Sequence, residues 1–220
     1  MRPLLKVMLT LGAIFATTFV LGRVFGILTV ENVRTWLEAV QAANPVWVAV
    51  LVIGLLFIDI FVAVPTLTIT ILAGFFLGFP FGFASALVGM SAAAIFGYAF
   101  SRLWGEGAVK FLVKNETDRT SLIDSFHTSG PMMIMLSRAM PILPEVTACM
   151  AGVTRMAFLR YLVFFMFSTV PYAAIASYAG SISSIDSPQP AIFAVIFLYA
   201  VLWIGWWLFQ RKTKVQSKSL

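Results

Sequence analysis

Four charged side chains lie in an otherwise apolar part of the chain, between residues 137 and 161. They are Arg138, Glu145, Arg155 and Arg160. A guanidinium group binds phosphate through parallel hydrogen bonds, and an intramembrane carboxyl group balances that charge or relays protons. These residue types therefore indicate the handling of an anionic or protonated group inside an apolar protein.

Two prolines, Pro141 and Pro144, precede Glu145, and Gly152 follows it. Because each proline removes an amide donor and blocks a helical hydrogen bond, a continuous membrane helix is not expected here. We predict a break shaped by the prolines and the glycine, buried in protein or lining a cavity, because lipid cannot satisfy its polar backbone. The alternative is a buried ion pair between Arg138 and Glu145 that only fixes the loop.

The composition is typical of an integral membrane protein, with 60% hydrophobic and 11% charged residues, against about 25% charged in soluble domains. The net charge of +6 arises from basic flanks rather than from a nucleic-acid surface, since no basic run alternates with stacking aromatics. Cys149 and His127 are the only residues of their types, which excludes an intrachain disulfide and the usual zinc sites. With no assembled nucleophile and base and no phosphate loop, we expect neither an enzyme nor a cofactor.

Asp59 is the only charged residue between positions 38 and 102. It lies near the end of an apolar run that opens at Asn44-Pro45, a cap followed by a first-turn proline. We predict a membrane helix of about 20 residues that contains Asp59. Its carboxyl group would face either a cavity or the solvated end of the helix.

Pro65 and Gly74 repeat the order of Pro144 and Gly152, since each proline is followed by an Ala-Gly pair and a membrane helix. Two interrupted apolar segments in corresponding halves are typical of inverted-repeat transporters. A kinked helix is the alternative for the first segment. The chain is therefore predicted to be an all-α integral membrane protein, with about five membrane helices and two re-entrant hairpins arranged as an inverted repeat.

The chain divides into three predicted parts. Residues 1–44 hold an interfacial helix and a first membrane helix, which is either retained or cleaved as a signal. Residues 45–182 form the core with both breaks. Residues 183–220 hold the last membrane helix and a basic tail. A polar stretch at 102–131 predicts a surface segment with a helix capped by Ser121, and a helix at 159–178 is expected to be interrupted at Pro171. The basic tail predicts a cytoplasmic carboxyl end, whereas the side of the amino terminus stays open.

The pattern R-x-x-P-x-x-P, then Ala-Gly and phenylalanine, runs from Arg138 to Phe158. With Pro65, ILAGFFLG and FGYAFSRLWG in the first half, it resembles the VTT domain of the DedA superfamily, in the branch of SNARE-associated Golgi proteins, over residues 60–182. The resemblance implies two facing re-entrant loops and a link to movement of isoprenoid phosphate carriers or phospholipids. Leu67 stands where bacterial DedA proteins carry an acid, and Pro144 stands in place of their second arginine.

The leading hypothesis is a transporter or scramblase for lipids or lipid-linked phosphates. Arg138 would hold the headgroup, Glu145 and Asp59 would balance charge or carry protons, and Arg155 would assist or merely mark the interface. The alternatives are a carrier for a small ion or solute and a non-transporting membrane assembly factor. We expect membrane lipids and no nucleic acid as partners, and a location in a bacterial inner (plasma) membrane.

Overall fold

The computed structural model describes residues 2–24, 30–41, 44–62, 64–139, 142–184 and 188–216. Within these ranges the chain is all-helical, with eight α-helices and no strand, which confirms the all-α prediction. The helices are α1 (Arg2–Val24), α2 (Val30–Gln41), α3 (Pro45–Ile58), α4 (Thr66–Leu112), α5 (Glu116–Leu136), α6 (Leu143–Val153), α7 (Phe158–Ser181) and α8 (Gln189–Gln216). A short 3₁₀ helix, Ser137–Ala139, lies between α5 and α6.

Helix α3 begins as the sequence predicts, because Asn44 Oδ1 accepts a hydrogen bond from Val46 N at 2.9 Å and Pro45 occupies the first turn. It ends at Ile58, so the prediction of a longer helix that contains Asp59 is wrong. Asp59 stands at the carboxyl cap, and its side chain accepts a bond from the Val64 amide at 2.8 Å. That bond holds the chain in a turn ahead of the next helix.

Helix α4 consists of two arms that meet at Gly78, whose φ of 75° and ψ of 168° are outside the helical range. A Cβ built on Gly82 would lie 2.7 Å from the Gly74 Cα, although eight residues of straight helix would separate them by about 12 Å. The chain therefore folds back at Gly78. We call residues 66–77 the first arm and residues 79–112 the second arm.

Two glycines fix how the halves of the fold meet. A Cβ on Gly74, in the first arm, would collide with the backbone carbonyl of Ser177 in α7. A Cβ on Gly152, in α6, would collide with the backbone carbonyl of Tyr98 in the second arm. The short helix that follows each break thus packs, backbone against backbone, on the long helix of the opposite half.

Helix α5 begins at Glu116 and is capped by Asn115, whose Oδ1 accepts a bond from Thr117 N at 3.0 Å. The prediction that Ser121 caps this helix is therefore wrong, since the capping residue lies six residues earlier. After the 3₁₀ helix, Ile142 adopts a φ of 76° immediately before α6. The break predicted between Arg138 and Glu145 is present, although Pro141 lies outside the described residues.

Helix α6 ends in a Schellman motif at its junction with α7. Met156 N donates to Ala151 O and Arg155 N donates to Gly152 O, both at 3.0 Å. Arg155, with a φ of 54°, occupies the left-handed position that glycine usually takes. The motif turns the chain sharply, so that α7 leaves in a new direction and packs on α4.

Helix α7 is continuous through Pro171, so the predicted interruption is wrong. Contacts with α4 flank the proline: Tyr98 and Tyr161 rings stack 5.2 Å apart, and a Cβ on Gly180 would collide with the Ile71 carbonyl. Because α4 supports the helix on both sides, one missing amide donor does not end it.

Two helical stretches are long and apolar enough to cross a membrane by length and composition, Thr66–Gly105 and Phe158–Ser181. Shorter apolar stretches occur at Leu5–Thr18, Pro45–Ile58, Leu143–Val153 and Gln189–Gly205. The short stretch that starts at Leu143 is α6, which is roughly half the length needed to span a bilayer.

The close glycine contact predicts a sharp cost for a single methyl group. Gly152→Ala should lower the free energy of unfolding by roughly 1–3 kcal/mol, because the new Cβ must displace rigid backbone of α4. Gly54→Ala is the matched control, since a Cβ there meets nothing within 4 Å and alanine favours helix. Thermal unfolding of both variants in detergent measures the difference. Equal midpoints for the two variants would contradict the contact.

Candidate functional site

The Asp59 carboxylate is anchored at the start of the first arm. Its Oδ1 accepts from Val64 N at 2.8 Å, and its Oδ2 accepts from the Thr66 hydroxyl at 2.7 Å. The side chain is buried. Because both bonds come from residues that lead into α4, the acid satisfies broken backbone and is held in one orientation.

Arg138 lies in the 3₁₀ helix and is 8% exposed. One of its terminal nitrogens donates to the Thr169 hydroxyl at 3.2 Å. The guanidinium carbon lies 5.2 Å from the Tyr172 ring centroid and 5.6 Å from that of Phe165, so two aromatic faces of α7 hold the cation. Arg138 Nε has no hydrogen-bond partner and retains a donor to offer.

Glu145 lies in the first turn of α6, where the helix dipole favours a carboxylate. It is 9% exposed, and its Oε2 has no hydrogen-bond partner. It lines the same two cavities as Asp59. Two carboxyl groups that face one small space repel each other when both are ionised.

The three charged groups line one cavity of about 310 Å³, which we call the central cavity. Both breaks contribute to its wall, together with α7 and α8. The lining residues are Asp59, Val64, Pro65, Thr66, Leu67, Thr68, Arg138, Ile142, Pro144, Glu145, Tyr172, Val195 and Tyr199. The two halves of the chain therefore bring one cation and two acids to a shared space.

No salt bridge joins Arg138 to Glu145 or to Asp59. The alternative in which an ion pair between Arg138 and Glu145 fixes the loop is therefore not the arrangement observed. A buried arginine and a buried acid, each with an unpartnered polar atom, face the same cavity. This arrangement has the chemistry to receive a polar group between them.

The remaining sequence-predicted residues fall into three groups. Pro65 and Pro144 line the central cavity. Gly74 and Gly152 lie outside the cavity lining and position its walls through the backbone contacts described above. Arg155 is exposed at the far end of α6 and does not approach Arg138.

Two partners of the arginine were missed from sequence. Thr169 and Tyr172 lie three residues apart in α7 and so share one face of the helix. A hydroxyl and a phenol at this spacing are the available signal, whereas Pro171 between them favours the prediction of an interrupted helix. Among the described residues, no group of three His, Cys, Asp or Glu side chains is placed to hold a metal ion.

Comparison with protein families matches the VTT domain model to residues 64–182, more than half of the chain. The chain belongs to the VTT-domain family. This is the domain of DedA and SNARE-associated Golgi proteins, and its members are membrane-associated. The VTT match covers α4 to α7, so Asp59 lies just before it. Comparison of the chain with curated proteins and with solved structures finds no match.

The anchoring of Asp59 can be tested with one hydroxyl group. Thr66→Val should lower the free energy of unfolding by about 1–3 kcal/mol, because a buried carboxylate oxygen loses its donor. Thr68→Val is the control, since Thr68 lines the same cavity without a hydrogen bond to Asp59. Chemical unfolding in detergent compares them. An equal loss in both variants would show that the hydroxyl bond contributes nothing specific.

Proposed function

We propose that this VTT-domain protein is an integral membrane transporter or scramblase that moves lipids or lipid-linked phosphates across the bilayer. The observation that carries the proposal is the central cavity of about 310 Å³, which is lined by buried Arg138, whose Nε has no hydrogen-bond partner. A guanidinium in an apolar protein is costly to bury, so a retained donor favours an anionic ligand such as a phosphate headgroup.

The proposed membrane arrangement has five crossings, by α1, α3, the second arm of α4, α7 and α8. The first arm and α6 re-enter from opposite faces as an inverted repeat. The reciprocal contacts of Gly74 and Gly152 support this symmetry. Large apolar side chains on the outer surface support the crossings, including Phe81, Leu159 and Phe193, which are 72%, 71% and 68% exposed.

The charges suit a headgroup that binds and leaves. With one proton between them, Asp59 and Glu145 would carry a single negative charge, which would balance Arg138. An incoming phosphate would compete with the acids for the guanidinium, so binding stays reversible. The cavity volume is that of a headgroup, and the acyl or isoprenoid chains would remain in the surrounding lipid.

The orientation follows from the basic carboxyl end. Arg211, Lys212 and Lys214 follow Trp203, Trp206 and Trp207 in the sequence of α8, which favours a cytoplasmic tail. We propose a location in the bacterial inner (plasma) membrane, with membrane lipids as the partners. We propose transport rather than catalysis, because the residues that line the central cavity include no serine, cysteine, histidine or lysine, which are common catalytic nucleophiles and bases.

The test is translocation of fluorescent phospholipid and of isoprenoid phosphate in liposomes that hold the purified protein. Arg138→Gln should slow movement by about tenfold or more, because a charge-assisted contact to the phosphate is lost. Glu145→Gln should also slow it. Arg160→Gln is the matched control, since this exposed arginine lies outside the central cavity.

Wild-type rates in folded Arg138→Gln protein would contradict the headgroup role. No lipid movement by the wild-type protein, together with saturable uptake of a water-soluble anion, would favour the small-solute carrier. Neither activity in either assay would favour the assembly factor.

A further inference from the structure

The residues that line the central cavity differ in how far they are exposed. The three charged residues, Asp59, Arg138 and Glu145, are buried. Tyr199 of α8 lines the same cavity and is 38% exposed, which makes it the most exposed of the lining residues. The cavity therefore extends from the buried charges to the outer surface of the helix bundle at Tyr199.

Tyr199 lies at the edge of the outer face of α8. Val195, one turn earlier, is half-buried and lines the central cavity. Ile196 and Trp203, three residues before and four residues after Tyr199, are exposed. Because helical residues at these spacings are neighbours, Tyr199 stands at the boundary between the cavity and the exposed face of the helix.

The exposed face of α8 at this level meets hydrocarbon in the proposed membrane arrangement. Tyr199 belongs to the apolar stretch Gln189–Gly205, about 15 Å from its first residue and about 9 Å from its last. A bilayer has a hydrocarbon core about 30 Å thick, so Tyr199 lies inside it. The opening of the central cavity at Tyr199, which we call the lateral mouth, therefore faces lipid.

The Tyr199 hydroxyl makes no hydrogen bond with any described residue. A phenol that is removed from water usually has a hydrogen-bond partner, and tyrosines of membrane proteins are enriched at the membrane–water interfaces. A phosphate oxygen at the lateral mouth would accept this bond. The hydroxyl thus supports contact with a polar group that arrives from the bilayer.

We propose that the phosphate headgroup of a membrane lipid enters the central cavity from the bilayer through the lateral mouth, in contact with Tyr199, while its hydrocarbon chains stay outside. The inference rests on the proposed function, because it takes a lipid as the ligand of Arg138, and it adds the route and the residue that the headgroup meets first. Tyr199 lies outside the VTT match of residues 64–182, so α8 supplies this part of the cavity wall from beyond the family domain.

A bulky label at the lateral mouth tests the route. Tyr199→Cys is made in Cys149→Ala protein, because Cys149 is the only natural cysteine and is not among the residues that line the central cavity. The new thiol is coupled to pyrenyl maleimide in detergent, and the protein is reconstituted into liposomes. The labelled protein should move fluorescent phosphatidylglycerol at least about tenfold more slowly than the same variant without label, since the pyrene obstructs the mouth.

Phe197→Cys, labelled in the same way, is the matched control. Phe197 is an exposed aromatic residue of α8, two positions before Tyr199, and it does not line the central cavity. Its label should leave the rate of lipid movement unchanged. Equal slowing by labels at positions 197 and 199, or no slowing at position 199, would overturn the lateral mouth.

The hydroxyl is tested by Tyr199→Phe, which keeps the ring. This variant should move lipid about threefold more slowly, the effect expected for one net hydrogen bond to the headgroup. A rate equal to that of the wild-type protein would overturn the contact between the hydroxyl and the headgroup.

A nitroxide on Tyr199→Cys shows whether the mouth faces lipid or water. Its electron paramagnetic resonance signal should relax faster with oxygen, which concentrates in hydrocarbon, than with a water-soluble nickel chelate. The reverse order would assign entry to a free anion from water and overturn the lateral route.

Native mass spectrometry of retained phosphatidylglycerol separates this inference from the proposed function. If the unlabelled protein moves no lipid but retains phosphatidylglycerol that the label at position 199 displaces, the transport proposal fails and the lateral mouth stands. If lipid moves and the label changes neither movement nor retention, transport stands and the lateral mouth fails.

Discussion

The fold depends on two places where helices touch backbone to backbone. At Gly74 the first arm of α4 meets α7, and at Gly152 helix α6 meets the second arm of α4. No side chain fits between them, so the approach is set by main-chain geometry rather than by side-chain packing. These contacts draw the two breaks together, and the central cavity exists because each break faces the other across them.

Each charged side chain at the central cavity is held by a different kind of partner. The Asp59 carboxylate accepts hydrogen bonds from the Val64 amide and the Thr66 hydroxyl of its own break. Arg138 is held by the hydroxyl of Thr169 and by aromatic faces. Because these local partners orient the charges, the arginine and the acids need not neutralise one another by direct contact, and polar capacity remains at the cavity wall.

Much of this arrangement could be read from the sequence, and the failures have physical causes. Charge in an apolar context identified Asp59, Arg138 and Glu145, because burial of such groups is costly enough to be rare. The proline spacing predicts the second break correctly. The predicted interruption of α7 at Pro171 is wrong, because tertiary support from α4 outweighs one lost hydrogen bond. The end of α3 is not predicted correctly, because the hydrogen bonds that hold Asp59 outside the helix come from residues later in the chain and form only on folding.

The second arm of α4 is long, and it begins at a single turn residue, Gly78. Gly78 is the only described glycine with a positive φ, and a Cβ there would meet nothing within 4 Å, so the pivot has open space around it. From this pivot the arm extends 32 residues to Lys110, or about 48 Å. A rotation of about 5° at the pivot would displace the far end by about 4 Å, so a small change of angle at Gly78 becomes a large displacement at the carboxyl end of α4.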